Sequence, residues 1–232
     1  MKLPLVSLVI AGLLTTQVTA QVPPLNTLAQ AEQAAGWRLL FDGKTTTGWR
    51  GFKADTMPSG WKAVDGALTR IAPAYDIITK DQFANFELTL EWNIAEGGNS
   101  GIMYRVTEAD TQTYWTGPEM QVLDDDRHPD GKQRLTAAGS CYGLYPAPPG
   151  VVRPAGEWNR VRLIVNRSHV EHWLNGVKVV EYDFGSPDWE WLVANSKFGS
   201  HAGFGRAKIG HIALPEHGER VAFRNIKIRE IK

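Results

Sequence analysis

The sequence predicts an all-β protein built as one sandwich of two antiparallel sheets. Three observations predict it. Short runs with apolar residues at every second position recur from Trp37 to the C-terminus. Asn175-Gly176 separates two β-type runs, the strongest short hairpin signal, because a type I′ turn needs positive φ at both positions. Helical periodicity is scarce, and no Pro/Ser-rich linker or internal repeat divides the chain.

The elements follow in order. Residues 1–20 read as a secretory signal peptide: Lys2 supplies the positive start, Leu3 to Leu14 the apolar run, and Val18-Thr19-Ala20 the small-residue cleavage site. The run is shorter than the ~20 residues of a membrane span. Residues 21–36 form a leader in which Leu28 to Ala35 has the makings of a helical turn or two. Residues 37–232 form the single sandwich domain. Within it, Asn85 to Ile94 alternates, with Phe86, Leu88, Leu90, Trp92 and Ile94 on one face. Asn99 to Arg105 and Pro118 to Asp124 read as two further strands, followed by a polar loop over Asp124 to Arg134 and a rigid one over Pro146 to Gly150. Arg160 to Val165 is the next strand, and His169 to Leu174 and Val177 to Tyr182 flank the Asn-Gly turn. Ser186-Pro187-Asp188 reads as an N-cap, a proline at the first helical position and an acidic first turn. Val221 to Ile231 alternates again, with an interruption at Asn225.

Composition excludes several functions. Lys+Arg and Asp+Glu both number 25, so no net field grips a phosphate backbone, and a nucleic-acid partner is not expected. The single cysteine, Cys141, forms no internal disulfide and no cysteine-based zinc site; it is expected buried and inert. Nine tryptophans outnumber eight phenylalanines and six tyrosines. Most, such as Trp92 and Trp158, fall on core positions, whereas Trp115 is placed at a sugar.

The densest polar constellation is Pro118-Glu-Met-Gln-Val-Leu-Asp-Asp-Asp-Arg-His-Pro-Asp130. Glu119 and Gln121 share a strand face, while Met120 and Val122 point to the core. Asp124 has the opposite parity and joins Glu119 only through a β-bulge. The two carboxyls would then be the minimum equipment for acid/base work on a glycoside. An acidic residue in mid-strand needs a partner or a purpose, and Arg105 on the preceding strand is the expected partner. Asp124, His128 and Asp130 form a weak divalent-cation constellation that matches no defined motif. Tyr114, Trp115, Tyr142 and Tyr145 suit stacking on a sugar ring, and His217 beside Glu216 is a titratable loop residue.

Several segments together resemble a known family. They are Leu39-Leu-Phe-Asp-Gly-Lys with Gly48-Trp49, Gly60-Trp61, Asp65-Gly-Ala-Leu68, Asn99-Ser-Gly-Ile102 with Arg105, Glu119-Met-Gln-Val-Leu-Asp124, Gly156-Glu-Trp-Asn159, Leu174-Asn-Gly176 and Phe223-Arg-Asn-Ile226. Their order is similar to that of the 3-keto-disaccharide hydrolase family. The resemblance implies a concanavalin-like or laminarinase-like jelly-roll sandwich and bacterial export to the periplasm or outside. It also implies cleavage of 3-keto-glycosides by elimination and rehydration, downstream of a separate glycoside 3-oxidoreductase. On that reading Glu119 is the base, Arg105 its electrostatic partner, and His217 or Asp124 the acid. Gln121, Asn99, Trp115 and Tyr142 hold the sugar, and Asp124 with His128 would be the ligands of any divalent cation. Two other functions stay open. The same strand is similar to the bulged Glu-x-Asp-x-x-Glu of laminarinase-like retaining glycosidases, from which Gln121 and Asp124 depart; a non-catalytic carbohydrate-binding module would use the same aromatics and amides.

Overall fold

The computed structural model describes residues 24–231, and the expected signal peptide lies outside them. Thirteen strands are seen among these residues: β1 (Arg38–Leu39), β2 (Trp49–Gly51), β3 (Trp61–Val64), β4 (Ala67–Arg70), β5 (Ile77–Thr79), β6 (Phe86–Ile94), β7 (Asn99–Val106), β8 (Glu119–Leu123), β9 (Asn159–Asn166), β10 (His169–Leu174), β11 (Val177–Asp183), β12 (His211–Leu214) and β13 (Val221–Glu230). Two short helices accompany them, α1 (Gln30–Ala34) and α2 (Pro187–Ala194). The strands form two antiparallel sheets, a jelly-roll sandwich. One runs β11-β10-β9-β6-β13-β4-β3 with β1 added on β13; the other runs β2-β5-β12-β7-β8.

Alternation explains which side faces in. Phe86, Leu88, Leu90, Trp92 and Ile94 of β6 are all buried in the core between the sheets. On the outer face, Glu87 pairs with Arg162 and Arg229, and Glu91 with Arg224 and Arg160, from the strands on either side. Each carboxylate is thus held between cations across the ladder. Trp49, Trp61, Trp92 and Trp189 are among the largest fully buried side chains, so four of the nine tryptophans are core, fewer than the majority expected, and Trp191 is exposed. Trp158 departs from that expectation: it lies half-buried under the Arg224 guanidinium, 3.8 Å from its ring centroid. Cys141 is buried, and burial pushes its thiol up to about 12, which keeps it protonated.

Local signals correspond to local structure. Asn175 and Gly176 have φ of 49° and 87°, the left-handed pair that the β10–β11 hairpin needs. The Ser186 hydroxyl accepts from Trp189 N at 3.1 Å and caps α2, with Pro187 in the first turn. The interruption at Asn225 is a bulge: φ is 51° and the β13–β6 register shifts between Arg224 and Lys227.

That bulge anchors the leader. Asn225 N donates to Asn26 Oδ1 at 2.8 Å, Asn26 N donates to Asn225 Oδ1 at 2.7 Å, and Asn26 Nδ2 donates to Gly66 O at 2.8 Å. Asn26 is itself left-handed, with φ of 56°. Asn26→Ala strands two backbone groups and strains its own backbone, so it should cost about 2–4 kcal/mol. Thermal unfolding checks this, with a drop of ~5–15 °C expected for a chain of this size.

Candidate active site

The site lies on the face of the five-stranded sheet turned away from the core. Met120 and Val122 point inward to the main core, so Glu119 points the other way. That outer face has its own apolar floor: Ile78, Met103, Val106 and Ala213 are buried together, with Phe52 and Tyr114 packed over them. Glu119 pairs across the ladder with Met103, two pairs along from Gly101 and Gln121 and so on the same face. A Cβ built on Gly101 would stand 1.8 Å from Glu119 Oε1, so the carboxyl occupies the space that glycine leaves open.

Glu119 Oε1 is shut off from solvent and has no hydrogen-bond partner among the described residues. Burial pushes the carboxyl up to about 8; the Lys197 ammonium opposes this, while Asp76 and Asp130 add to it. The Lys197 ammonium lies over the Tyr142 ring at 4.3 Å, Phe198 at 5.2 Å and Tyr114 at 5.5 Å. Desolvation draws it below the usual lysine range, against the pull of Glu119 and Asp130. The Tyr142 hydroxyl donates to Asp130 Oδ2 at 3.3 Å, and Tyr142 N donates to Glu119 O at 3.0 Å.

Beside this group opens a cleft of ≈ 350 Å³, bounded by Phe52, Tyr75, Asp76, Tyr114, Glu216 and His217. Burial holds Asp76 above the usual carboxylate range, although the Thr113 hydroxyl and Glu216 N both donate to it. Tyr75 is 78% exposed at the rim, an aromatic face open to solvent.

Several expected partners are elsewhere. β8 pairs with β7 without a bulge, so Asp124 does not rejoin Glu119. Its carboxylate instead accepts from Gly97 N at 2.7 Å and Asp126 N at 3.2 Å, fastening a turn. The bulge that exists is on β7, where Arg105 has φ of 53° and the β12 register shifts between His211 and Ala213. This turns Arg105 away from Glu119; its guanidinium donates to Ala84 O at 2.9 and 3.1 Å and to Arg167 O at 2.8 Å. Gln121 is on the expected face but only 1% exposed, and its amide donates to Asn99 Oδ1 at 3.2 Å. A buried amide bonded to its neighbour is not presented to a sugar. Trp115 has one face covered by the His201 ring, stacked at 3.7 Å. Tyr142 and His217 do border the site.

The expected cation ligands are occupied with backbone. His128 Nδ1 accepts from Asp130 N at 3.1 Å, capping the turn that follows, and Asp124 is committed as above. The metal-like grouping among the described residues is different: His169, Glu171 and Glu181 on the β10–β11 hairpin. The Lys178 ammonium already bridges its two carboxylates, so a cation would have to displace it. Three residues that matter at the site were not singled out from sequence: Asp76, Lys197 and Gly101. A glycine inside an alternating strand was a usable signal for Gly101. Nothing local marks the other two.

A jelly-roll sandwich with a desolvated carboxyl beside an open cleft has the makeup of a glycoside-cleaving enzyme. Comparison with known proteins narrows this. Residues 36–229 match the family described as the 3-keto-alpha-glucoside-1,2-lyase-like domain, and the chain belongs to that family. It is 34% identical to a Bacteroides thetaiotaomicron protein named 3-keto-disaccharide hydrolase, over 88% of this chain and 82% of that one. A crystal structure from Parabacteroides distasonis, described as a candidate glycosyl hydrolase, superposes with a TM-score of 0.83 at 33% identity, covering 90% of this chain and 100% of that one. A second from the same organism, with the same description, gives 0.68 at 31% identity, over 84% and 99%. Among the described residues no helix is long and apolar enough to cross a membrane.

Proposed function

We propose that the protein breaks glycosidic bonds of 3-keto-glycosides by elimination followed by addition of water. The observation that carries this is the state of Glu119: a half-buried carboxyl whose Oε1 is shut off from solvent without a partner, with its proton held to about pH 8. Such a group is a far stronger base than an ordinary carboxylate. A ketone at C3 of the sugar acidifies the C2 proton. Glu119 takes that proton, the electron pair enters the C1–C2 bond through the enolate, and the C1–O bond breaks. The aglycone oxygen leaves with a proton from an acid; water then adds to C1 and a proton returns to C2, giving free 3-keto-sugar.

The surrounding residues suit the other needs of that sequence. The Lys197 ammonium is the cation near Glu119, and it would balance negative charge developing on the C3 oxygen. Asp76, kept protonated to higher pH than usual by burial, and His217 on the same cleft are the groups suited to the leaving oxygen. The exposed Tyr75 ring offers the sugar a stacking face. The direct retaining alternative loses support, because Asp124 fastens a turn instead of facing Glu119. The substrate requires a separate glycoside 3-oxidoreductase to supply it, and the signal-like N-terminus fits work in the periplasm or outside the cell.

The test is to incubate the protein with a 3-keto-glucoside in deuterated water and follow C2 by NMR. Elimination and rehydration place deuterium at C2 of the released 3-keto-glucose. Release without exchange points to direct hydrolysis, and binding without turnover to a carbohydrate-binding module; either would overturn the reading. A second expectation concerns pH. With Glu119 as base, kcat/KM rises about tenfold per pH unit below 8 and levels off above it. A fall through that range would make Glu119 the acid.

A further inference from the structure

Arg105, turned away from Glu119, faces a different cavity. The bulge of β7 brings it to a cleft of ≈ 610 Å³ at one end of the sandwich, where the start of β6, the β9–β10 turn, the end of β11 and residues 205–208 meet. The lining includes Arg105, Arg167, Arg206 and Lys208 and no acidic residue. Arg206 is neutralised by its pair with Glu190. The other three cations have no carboxylate partner among the described residues.

Arg105 makes this more than a group of surface charges. It is 6% exposed and rigidly held: Nε and Nη2 are bonded to Ala84 O and Arg167 O, and the guanidinium lies 5.1 Å over the Phe184 ring. Its Nη1 has no hydrogen-bond partner among the described residues. A buried charge fixed by carbonyls, with no counter-ion of its own, has a place for one. Arg167 and Lys208 are exposed at the same cavity and add two mobile cations. A bare oxyanion would fill only a small part of the volume. The rest is lined by Phe184, Ala84, Ala207 and two glycines, which suit the CH face of a sugar-sized ring, and by Asn85 and Ser168, which suit its hydroxyls.

We infer that this cleft binds a sugar bearing an oxyanion, a carboxylate or a sulfate, seated on Arg105, Arg167 and Lys208. None of its lining residues belongs to the cleft beside Glu119. The site is therefore a second one, and it stands whether or not the proposed reaction is correct. An acidic substituent or a neighbouring unit of an acidic glycan would be held there.

Calorimetric titration at low ionic strength tests it, with glucuronate, glucose 6-sulfate, glucose and inorganic sulfate as probes. Low salt is needed because exposed charges are screened over ~10 Å at 0.1 M. The expected result is one site for each charged sugar and none for glucose. Binding should weaken at least ~tenfold in Arg167→Gln/Lys208→Gln, whose side chains are exposed, with Tm unchanged. Binding should be the same in Glu119→Gln as in the natural protein. No binding of either charged sugar, equal binding by glucose, or full affinity in the double variant would overturn the site. Loss of binding in Glu119→Gln would assign it to the catalytic cleft instead. Sulfate binding as tightly as the sugars would replace the sugar with a free oxyanion.

Discussion

Glu119→Gln should lose activity by about 10²–10⁴-fold and gain thermal stability above neutral pH. The two effects have one cause. The folded protein holds the Glu119 proton to about pH 8, against an ordinary carboxyl value of 4.5. A value raised by folding gives stability that is fully present below pH 4.5 and is lost as pH rises to 8. Below 4.5 both states keep the proton. Between 4.5 and 8 the unfolded chain releases it and the folded chain does not, so unfolding is favoured increasingly. Above 8 the loss is complete, at about 5 kcal/mol as an upper limit. The amide of glutamine carries no charge at any of these pH values. It is polar and buried, which takes back ~1–3 kcal/mol. The variant should therefore melt several degrees above the natural protein at pH 8 and show no advantage at pH 4. Melting curves at the two pH values, together with kcat/KM on a 3-keto-glucoside, check both halves. A folded variant with near-natural turnover would remove Glu119 from the mechanism. A variant no more stable at pH 8 would mean that the carboxyl is better solvated than its surroundings imply.

Much of the fold could be read from sequence because its determinants are local. The β6 alternation, the Asn175-Gly176 turn and the Ser186 cap each involve a few adjacent residues, and each forms as read. The site was legible only where strand parity was enough. Glu119 faces away from the core because Met120 and Val122 face into it, and Tyr142 and His217 border the site. What failed depended on register. β7 and β8 do pair, but Met103 stands opposite Glu119, and the bulge lies at Arg105 instead of beside Asp124. A bulge moves every later side chain to the other face, so assigning it to the wrong strand misplaces both residues. Asp76 and Lys197 depended on topology. Asp76 precedes β5, whose neighbour β12 separates it from β7, and Lys197 follows α2, nearly eighty residues beyond Glu119 in sequence. No pattern within a short window brings these together. Trp115 shows another limit: an aromatic ring is equally suited to a sugar and to a neighbouring side chain, and His201 takes one of its faces.

The same geometry makes Gly101 a second determinant of activity without contacting substrate. Gly101→Ala should lower kcat/KM by about 10²-fold or more while leaving the fold intact. The added Cβ would lie 1.8 Å from Oε1, 2.6 Å from Cδ and 2.8 Å from Cγ of Glu119, and these are its three nearest neighbours. No backbone atom stands closer, and Gly101 is not among the residues of positive φ, so alanine suits the strand. The clash is relieved by swinging the glutamate side chain off its seat and toward water. Hydration then lowers the carboxyl toward its ordinary value, which makes it a weaker base in the wrong position. The pH midpoint of the remaining kcat/KM should fall below 8, and Tm should stay within a few degrees. A double-mutant cycle separates this from general damage. In the Glu119→Gln background the added alanine should cost little further activity, because the group it displaces no longer acts as a base. Losses that multiply would mean that Gly101 serves the site independently of Glu119; a folded Gly101→Ala with natural kcat/KM would mean that the carboxyl does not work from the position in which it is seen.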